Sequence, residues 1–287
     1  MDLTIALVNY NTAHHLKKCL DSIAESKTSY KYQIYVIDNN SSDNSIDVAK
    51  QYKNINLIQN KDNPGMAASL NHVLKTTNSE YYLFLHPDTE IERNTIQTMI
   101  DFLHKYPTIA IAGPKLIYPN NKIFLSCHKF PTITNLIKEK LGLNGVYMRK
   151  ANHTKIQEVD IIASACMFIR KTAINNQLFD DKFTNWCAEW DLAYQLKQEK
   201  RKIVYAPITT VIHYEAMSET DLEYKKHSYP IAEIMLERLL LFYKKHYSSL
   251  ATIQLKFLTI TTLILQSIRH PTRTKHYFKA IKKAITY

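Results

Sequence analysis

The first hundred residues alternate between short apolar runs and amphipathic stretches. "LTIALV" (3–8) reads as a buried strand, and "AHHLKKCLDSIAES" after it sets Leu16, Cys19, Leu20 and Ile23 at helical spacing. The cycle then repeats. "YQIYVI" (32–37), "INLI" (55–58) and "YYLFL" (81–85) are strand-like, and "NSIDVAKQY" and "MAASLNHVLKTT" between them are helical. Strands separated by helices in this way pair in parallel through crossovers, with helices on both faces of the sheet.

A polar cluster closes three of the strands. Asn9-Tyr10-Asn11 follows the first, Asp38-Asn39-Asn40 the second and His86-Pro87-Asp88 the fourth. Ligands of open α/β sheets collect beyond the carboxyl ends of the strands, so these clusters predict a site on one shared edge.

Further along, "IAIAGPKLIYPNNKIFL" predicts a hairpin turning at Pro119-Asn120-Asn121. Residues 127–155 are irregular and basic, which suits a mobile loop over the site or an ordinary surface loop. "VDIIASACMFIRK" then reads as one apolar strand, "AEWDLAYQLKQE" as a helix, and "KIVYAP" and "TTVIHY" as two more strands.

Composition narrows the class. A chain of 287 residues with 45% hydrophobic and 22% charged positions suits one large globular domain or a domain with an appendage. Its four glycines, at 65, 113, 142 and 145, cannot spell a GxGxxG dinucleotide fingerprint or a P-loop. Cys19, Cys127, Cys166 and Cys187 lack CxxC spacing and are expected as reduced core thiols of a cytosolic protein. "MDLTIALVNYN" carries an acid where a secretory signal carries basic residues, so no export is expected.

In this order, "ALVNYN", "VIDNNSSDNS", "NPGMAASLN", "LFLHPDTEI", "VDIIASACMFIRK", "FDDKFTNWCAEWDLAYQLK" and "IVYAPITTVIHYEAMS" resemble family 2 inverting glycosyltransferases, nearest to the rhamnosyltransferase-like enzymes of bacterial surface polysaccharides. The resemblance covers roughly residues 3–218. It implies the GT-A fold, an α/β architecture with a mostly parallel, Rossmann-like sheet flanked by helices, here with a C-terminal helical appendage. The expected division is 1–225 for the catalytic domain and 226–287 for a basic, amphipathic helical region.

Such an enzyme moves a sugar from a nucleotide-sugar, here dTDP-rhamnose or a UDP-sugar, to a hydroxyl of a lipid-linked or oligosaccharide acceptor. The resemblance places Mg2+ or Mn2+ on the donor diphosphate through Asp88, the second acid of the family's DxD-like motif, and through His213. A turn or helix cap at Asp88 and a structural histidine at 213 are the plainer alternatives. His86 stands where many relatives carry Asp or Asn, which leaves one carboxylate at the motif and a softer or weaker metal site.

Asp38 matches the acid that accepts the imide N–H of a uracil or thymine, although an Asx turn would use it equally. Asn9, Asn11, Asn40 and Asn71 complete the expected donor-binding set with His86. Asp43, Ser42 and Ser45 are expected to cap the following helix.

Glu189 falls on the position of the base that deprotonates the acceptor, where relatives usually carry Asp, and Asp191 is the second catalytic candidate. Asp191 is also suited to bracing a neighbouring loop, and both acids would be favoured in a first helical turn in any case. Trp186 and Trp190 flank the base and could stack on a sugar or join the core. Ser164 in "ASAC" and Ser69 in "AASLN" replace usual glycines.

The net charge of +11 is concentrated at the end of the chain. Lys or Arg occupies 238, 244, 245, 256, 269, 273, 275, 279, 282 and 283, with no Asp or Glu after Glu237. "LATIQLKFLTITTLILQSI" could span a bilayer by length but carries polar residues throughout. A helix lying at the interface, with basic residues on anionic lipid, is the preferred expectation over a plain bundle. This places the protein at the inner face of the cytoplasmic membrane. Competing readings are a catalytically silent nucleotide-sugar-binding or scaffold protein and a nucleic-acid binder. No nucleic-acid motif supports the last, and no nucleic-acid partner is expected.

Overall fold

A computed structural model of the chain describes residues 1–174, 179–184, 187–214 and 228–287, with side chains in the last segment from 234 onward. Four strands, β1 (Leu3–Asn9), β2 (Tyr32–Asp38), β3 (Ile55–Gln59) and β4 (Tyr81–Leu85), alternate with α1 (Ala13–Ala24), α2 (Ser45–Lys50) and α3 (Met66–Thr76). They are the elements expected from the apolar periodicity. The chain continues through β5 (Thr89–Ile91), α4 (Thr95–Lys105), β6 (Ile109–Ile117), β7 (Ile123–Phe124), β8 (Cys127–His128) and α5 (Ile133–Lys140). Next come β9 (Gln157–Glu158), β10 (Ile161–Ile162), β11 (Cys166–Arg170), α6 (Lys171–Ile174), α7 (Ala188–Gln198) and β12 (Lys202–His213). Three helices follow, α8 (Ser228–His246), α9 (Ser249–Arg269) and α10 (Thr274–Thr286).

The main sheet runs β3-β2-β1-β4-β11-β6-β12-β5. β1, β2, β3 and β4 are mutually parallel, β11 is antiparallel to β4 and β6, and β12 is parallel to β6. From β1 the chain winds outward to β2 and β3 and then returns to the other side of β1 as β4. Strand order therefore reverses between β1 and β4, and a crevice opens at their carboxyl ends.

Alternate residues of the strands feed two cores, as the period of two requires. Ala6, Tyr82, Phe84, Met167 and Ile169 pack on one face with α3 and α7 residues. Leu3, Ile5, Leu7, Leu83, Leu85 and Phe168 pack on the other with α1 and α4 residues. The four cysteines are buried and unpaired, as expected.

Three expectations need correction. "KIVYAP" and "TTVIHY" form one strand, β12, because its pairing with β6 absorbs Pro207 in a register shift between Tyr205 and Thr210. "VDIIASACMFIRK" is broken into β10, which pairs with β8 in a separate small sheet, and β11 in the main sheet. Gly113 of β6 allows the close approach, since a Cβ there would lie 2.4 Å from Ile162. Residues 127–155 hold β8 and α5, whose start is fixed by Thr132 accepting from the Asn135 amide.

The boundary expected at 225 and 226 falls outside the described residues. Downstream of it, Leu240, Phe242, Tyr243 and Leu255 are buried in the same core as β4 and α7, so the helical region shares the core of the sheet. Tyr243 also donates its hydroxyl to the Pro131 carbonyl, 2.5 Å away, before α5.

At the edge of the sheet opposite the crevice, Arg170 is buried. Its guanidinium donates to the carbonyls of Leu103 and Ile109, the latter at 3.3 Å, and to the Tyr81 hydroxyl at 3.2 Å. It thereby satisfies a carbonyl in the last turn of α4, where helix ends lack partners. Arg170→Met should lower the free energy of unfolding by about 2–3 kcal/mol, read from the urea midpoint at constant m-value.

Candidate active site

The floor of the crevice is built by the loops after β1 and β2, where Asn9 and Asp38 are paired in register. Asn9 donates its amide to Asp38 Oδ1 at 2.8 Å, and Ser41 donates its hydroxyl to the same oxygen at 2.6 Å. The Ser41 backbone N–H takes Asp38 Oδ2 at 2.9 Å, completing the Asx turn that the sequence allowed. Asn11, at φ 53°, accepts from the Ser42 N–H at 2.7 Å, and Asn40 sits exposed at φ 65°. Asn tolerates this left-handed region better than most residues. Asp43 ties the two loops to their helices, accepting from Ser45 N at 3.0 Å and from Ala13 N, at the start of α1, at 2.8 Å.

A further chain of bonds links the floor to residues 179–184. Asn39 accepts from the Ser69 hydroxyl on α3 at 2.9 Å, and the α3 amide of Ala67 donates to Thr184 O at 3.0 Å. Asn71, expected among the donor-binding residues, has its amide engaged elsewhere. It donates to Phe179 O at 2.8 Å and Asp181 Oδ1 at 2.7 Å, and accepts from Phe179 N at 2.9 Å. It therefore pins α3 to the segment that enters α7.

Beyond the end of β4, His86, Asp88 and His213 converge. β5 pairs antiparallel with the last residues of β12, setting Thr89 opposite His213, and the Tyr214 amide donates to Asp88 O at 2.9 Å. His213 Nε2 lies 3.4 Å from Asp88 Oδ1, and His86 Nδ1 lies 3.9 Å from the same oxygen. One donor atom from each of the three residues falls within 4.8 Å of the others. Donors bound at about 2.1 Å to one ion stand roughly 3–4 Å apart, so the separations of 3.4 and 3.9 Å from Asp88 to the two rings suit a divalent metal.

The electrostatics favour the ligating forms. Burial works to raise the Asp88 carboxyl, but the hydrogen bond from His213 and the two nearby rings outweigh it and hold the group below the usual range. Desolvation lowers the His86 imidazole against the opposing pull of Asp88, so the ring is neutral near pH 7. Metal binding requires both an ionised carboxylate and a free imidazole nitrogen.

One wall of this group comes from α1 and was not read from the sequence. His15 packs its ring on Tyr214 with centroids 4.7 Å apart, and Lys18 Nζ lies 4.7 Å above the same ring and 3.8 Å from Glu90. Spacing along α1 could have revealed the pair, because positions 15 and 18 share a helical face directly after the β1 cluster.

Glu189 and Asp191 open α7 but meet different surroundings. Glu189 is partly exposed, and desolvation pushes its carboxyl up to about 7, with its own backbone N–H opposing the rise. Asp191 is fully buried. Its carboxylate faces His246 at 2.6 Å and Lys245 at 2.9 Å on α8, and accepts from Gln195 at 2.8 Å. For Asp191 the geometry is that of the brace, since the side chain is buried and both oxygens are occupied by Lys245, His246 and Gln195. Trp190 is buried edge-to-face against Phe242 and belongs to the core. Trp186, Glu215 and Ala216 lie outside the described residues.

Residues 4–178 match the profile of glycosyl transferase family 2. The chain is 20% identical over 242 residues to the N-acetylglucosaminyl-diphospho-decaprenol L-rhamnosyltransferase of Mycobacterium tuberculosis, an alignment covering 75% of this chain and 77% of that one. Among solved structures it resembles S. aureus TarS 1–349 in complex with UDP, with a TM-score of 0.56 at 14% identity over 100% of this chain and 92% of the other. It also resembles the Pyrobaculum calidifontis mannosyltransferase PcManGT in complex with GDP-Man and Mn2+, with a TM-score of 0.55 at 14% identity over 99% and 86%. At that identity the structures speak for the fold alone. Profile, relative and architecture agree that the chain belongs to glycosyl transferase family 2, as a rhamnosyltransferase-like glycosyltransferase of GT-A fold.

Proposed function

We propose that this protein is a metal-dependent, inverting glycosyltransferase that moves a sugar from a nucleotide-sugar, dTDP-rhamnose or a UDP-sugar, to a hydroxyl of a lipid-linked or growing polysaccharide acceptor. The observation that carries the reading is the pairing of Asp88 with His213 at the crevice where strand order reverses. Asp88 and His213 would hold Mn2+ or Mg2+, which supplies positive charge for the donor diphosphate. The loops after β1 and β2 offer the nucleoside Asn11 and the exposed Asn40, while Asn9 and Asp38, both buried, hold the two loops together beneath them.

Glu189 takes the acceptor proton. The acceptor oxygen attacks the anomeric carbon from the face opposite the diphosphate, the bond to the leaving oxygen breaks, and the hydroxyl proton passes to the Glu189 carboxylate. A carboxyl near 7 suits that step, because it is ionised enough to accept and basic enough to pull.

The C-terminal helices supply a surface for a lipid-linked acceptor. α9 buries Thr252 and Leu255 on the protein and exposes Leu250, Ile253, Phe257, Ile264, Leu265 and Ile268 along the other side. It is long and apolar enough to cross a bilayer by length and composition. With α10 packed beside it, through Lys256 Nζ on Ile285 O at 3.4 Å, a helix lying in the inner face of the cytoplasmic membrane fits the geometry better.

Addition of dTDP or UDP with Mn2+ should raise the thermal midpoint by several degrees, and Asp88→Asn should abolish the metal-dependent part of the shift. Failure of every nucleoside diphosphate to stabilise the protein would sink the reading. Glu189→Gln should reduce kcat by about 10²–10⁴-fold with little change in donor KM. In the wild type, kcat/KM should climb with pH through about 7 as the base loses its proton. Co-sedimentation with phosphatidylglycerol vesicles should weaken in a Phe257→Glu, Leu265→Glu variant and with added salt, and persist in neither phosphatidylcholine nor high salt.

A further inference from the structure

We infer that α8 sets the position of the base: Lys245 and His246 hold the first turn of α7 through Asp191, Arg238 holds the segment leading into it, and the three are positioning residues for the transfer step. This rests on Glu189 being the base proposed above and goes further by naming what holds it in place.

The first turn of α7 has little to fix it from within. It begins at Cys187, which stands at φ 65°, and no side chain caps its amides. A thiol gives no cap of the kind that Ser, Thr, Asp or Asn supplies. The fixed point comes two residues beyond the base. On a helix of about 3.6 residues per turn, positions 189 and 191 point to nearly opposite sides, so Asp191 is anchored in the interior while Glu189 stays partly exposed.

The anchor is supplied from α8. His246 Nε2 lies 2.6 Å from Asp191 Oδ1, and Lys245 Nζ lies 2.9 Å from the same oxygen and 2.7 Å from Asp180 Oδ2. The His246 ring is itself fixed, with its centroid 4.3 Å from that of Tyr194 and 4.9 Å from that of Phe242, and its carbonyl accepts from the Tyr194 hydroxyl at 3.3 Å. Earlier on α8, Arg238 donates to the Lys182 carbonyl and, at 3.1 Å, to Thr184 Oγ1. Thr184 O in turn takes the Ala67 amide of α3 at 3.0 Å. One helix thus grips α7 on the side away from the base and also the chain just before it. Misplacing a reacting group by about 1 Å can cost about 10²-fold in rate.

The same packing sets the chemistry of the base. Desolvation pushes the Glu189 carboxyl up to about 7, and the Cys187 thiol, pushed well above its usual range by burial and then by Glu189, stays neutral beside it. The charged groups packed around this turn are Asp191 from α7, Arg238, Lys245 and His246 from α8, and Asp180 from the approach. Loosening the turn admits water and moves the Glu189 carboxyl down toward the ordinary carboxylate range, whereas loss of a cation by itself would move it up. The two effects have opposite signs.

The test uses the full chain, with thermal midpoints to establish that each variant is folded. His246→Phe keeps the ring on Tyr194 and Phe242 and removes its nitrogen from Asp191. Arg238→Met frees residues 182 and 184. Asp191→Asn combined with His246→Phe removes the buried charge together with its partner, so a folded protein is at hand even where His246→Phe alone is unstable. Each should lower kcat by about 10–100-fold, with donor KM and the thermal shift from nucleoside diphosphate and Mn2+ within about twofold of wild type. In His246→Phe and Arg238→Met the rise of kcat/KM with pH should begin lower than in the wild type, a displacement that lost stability alone would not produce. His246→Gln, whose amide reaches the same oxygen, should restore kcat. Wild-type kcat in folded Arg238→Met and in the folded double variant, a raised donor KM with kcat intact, or a pH rise that stays in place or moves up would each overturn the inference. Glu189→Gln separates the two readings: if it keeps full kcat, the base and its positioning fall together, and if it loses kcat while the α8 variants do not, positioning alone falls.

Discussion

The pairing of β5 with the end of β12 is the constraint on which the site depends. Asp88 leaves the sheet at the end of β4, and His213 belongs to a strand that lies beyond β11 and β6. Only because the chain returns after Asp88 as a short antiparallel edge strand do the two residues reach 3.4 Å. The pairing fixes register, and a slip of one residue would turn His213 to the other face of the sheet. Packing supports the arrangement from below, where Cys19 of α1 touches Thr89 and the His86 carbonyl.

Much of this was legible in the sequence because it is periodic. The first four strands and three helices carry strong patterns, and parallel crossovers follow from their order. That order alone put the clusters at 9–11, 38–40 and 86–88 on one edge, where the structure has them. The helix that opens with Glu189 was equally legible, but the setting of that carboxyl was not. The shift of its carboxyl comes from desolvation by the protein packed around the start of α7, which no local pattern encodes.

What stayed hidden depends on contacts between distant segments. Nothing near Asp191 announces that Lys245 and His246 will enclose it, and nothing near Asn71 announces Phe179 and Asp181. Pro207 misled in the other direction, since a residue without an N–H looks like a strand end until a neighbouring strand is seen to accommodate the irregularity. The helix at α5 was missed because its run is short and amphipathic without a buried residue of its own.

The enclosure of Asp191 bears on how the C-terminal region can be inherited. A carboxylate buried without its partners is costly, so α8 cannot be exchanged or removed as though it were a detachable anchor. Any recombinant or natural hybrid that joins the sheet to a foreign tail must carry hydrogen-bonding partners for this carboxylate at the positions of Lys245 and His246, or else replace Asp191 with a neutral residue in the same step. The two halves of the chain are thus bound to evolve together, through one buried charge.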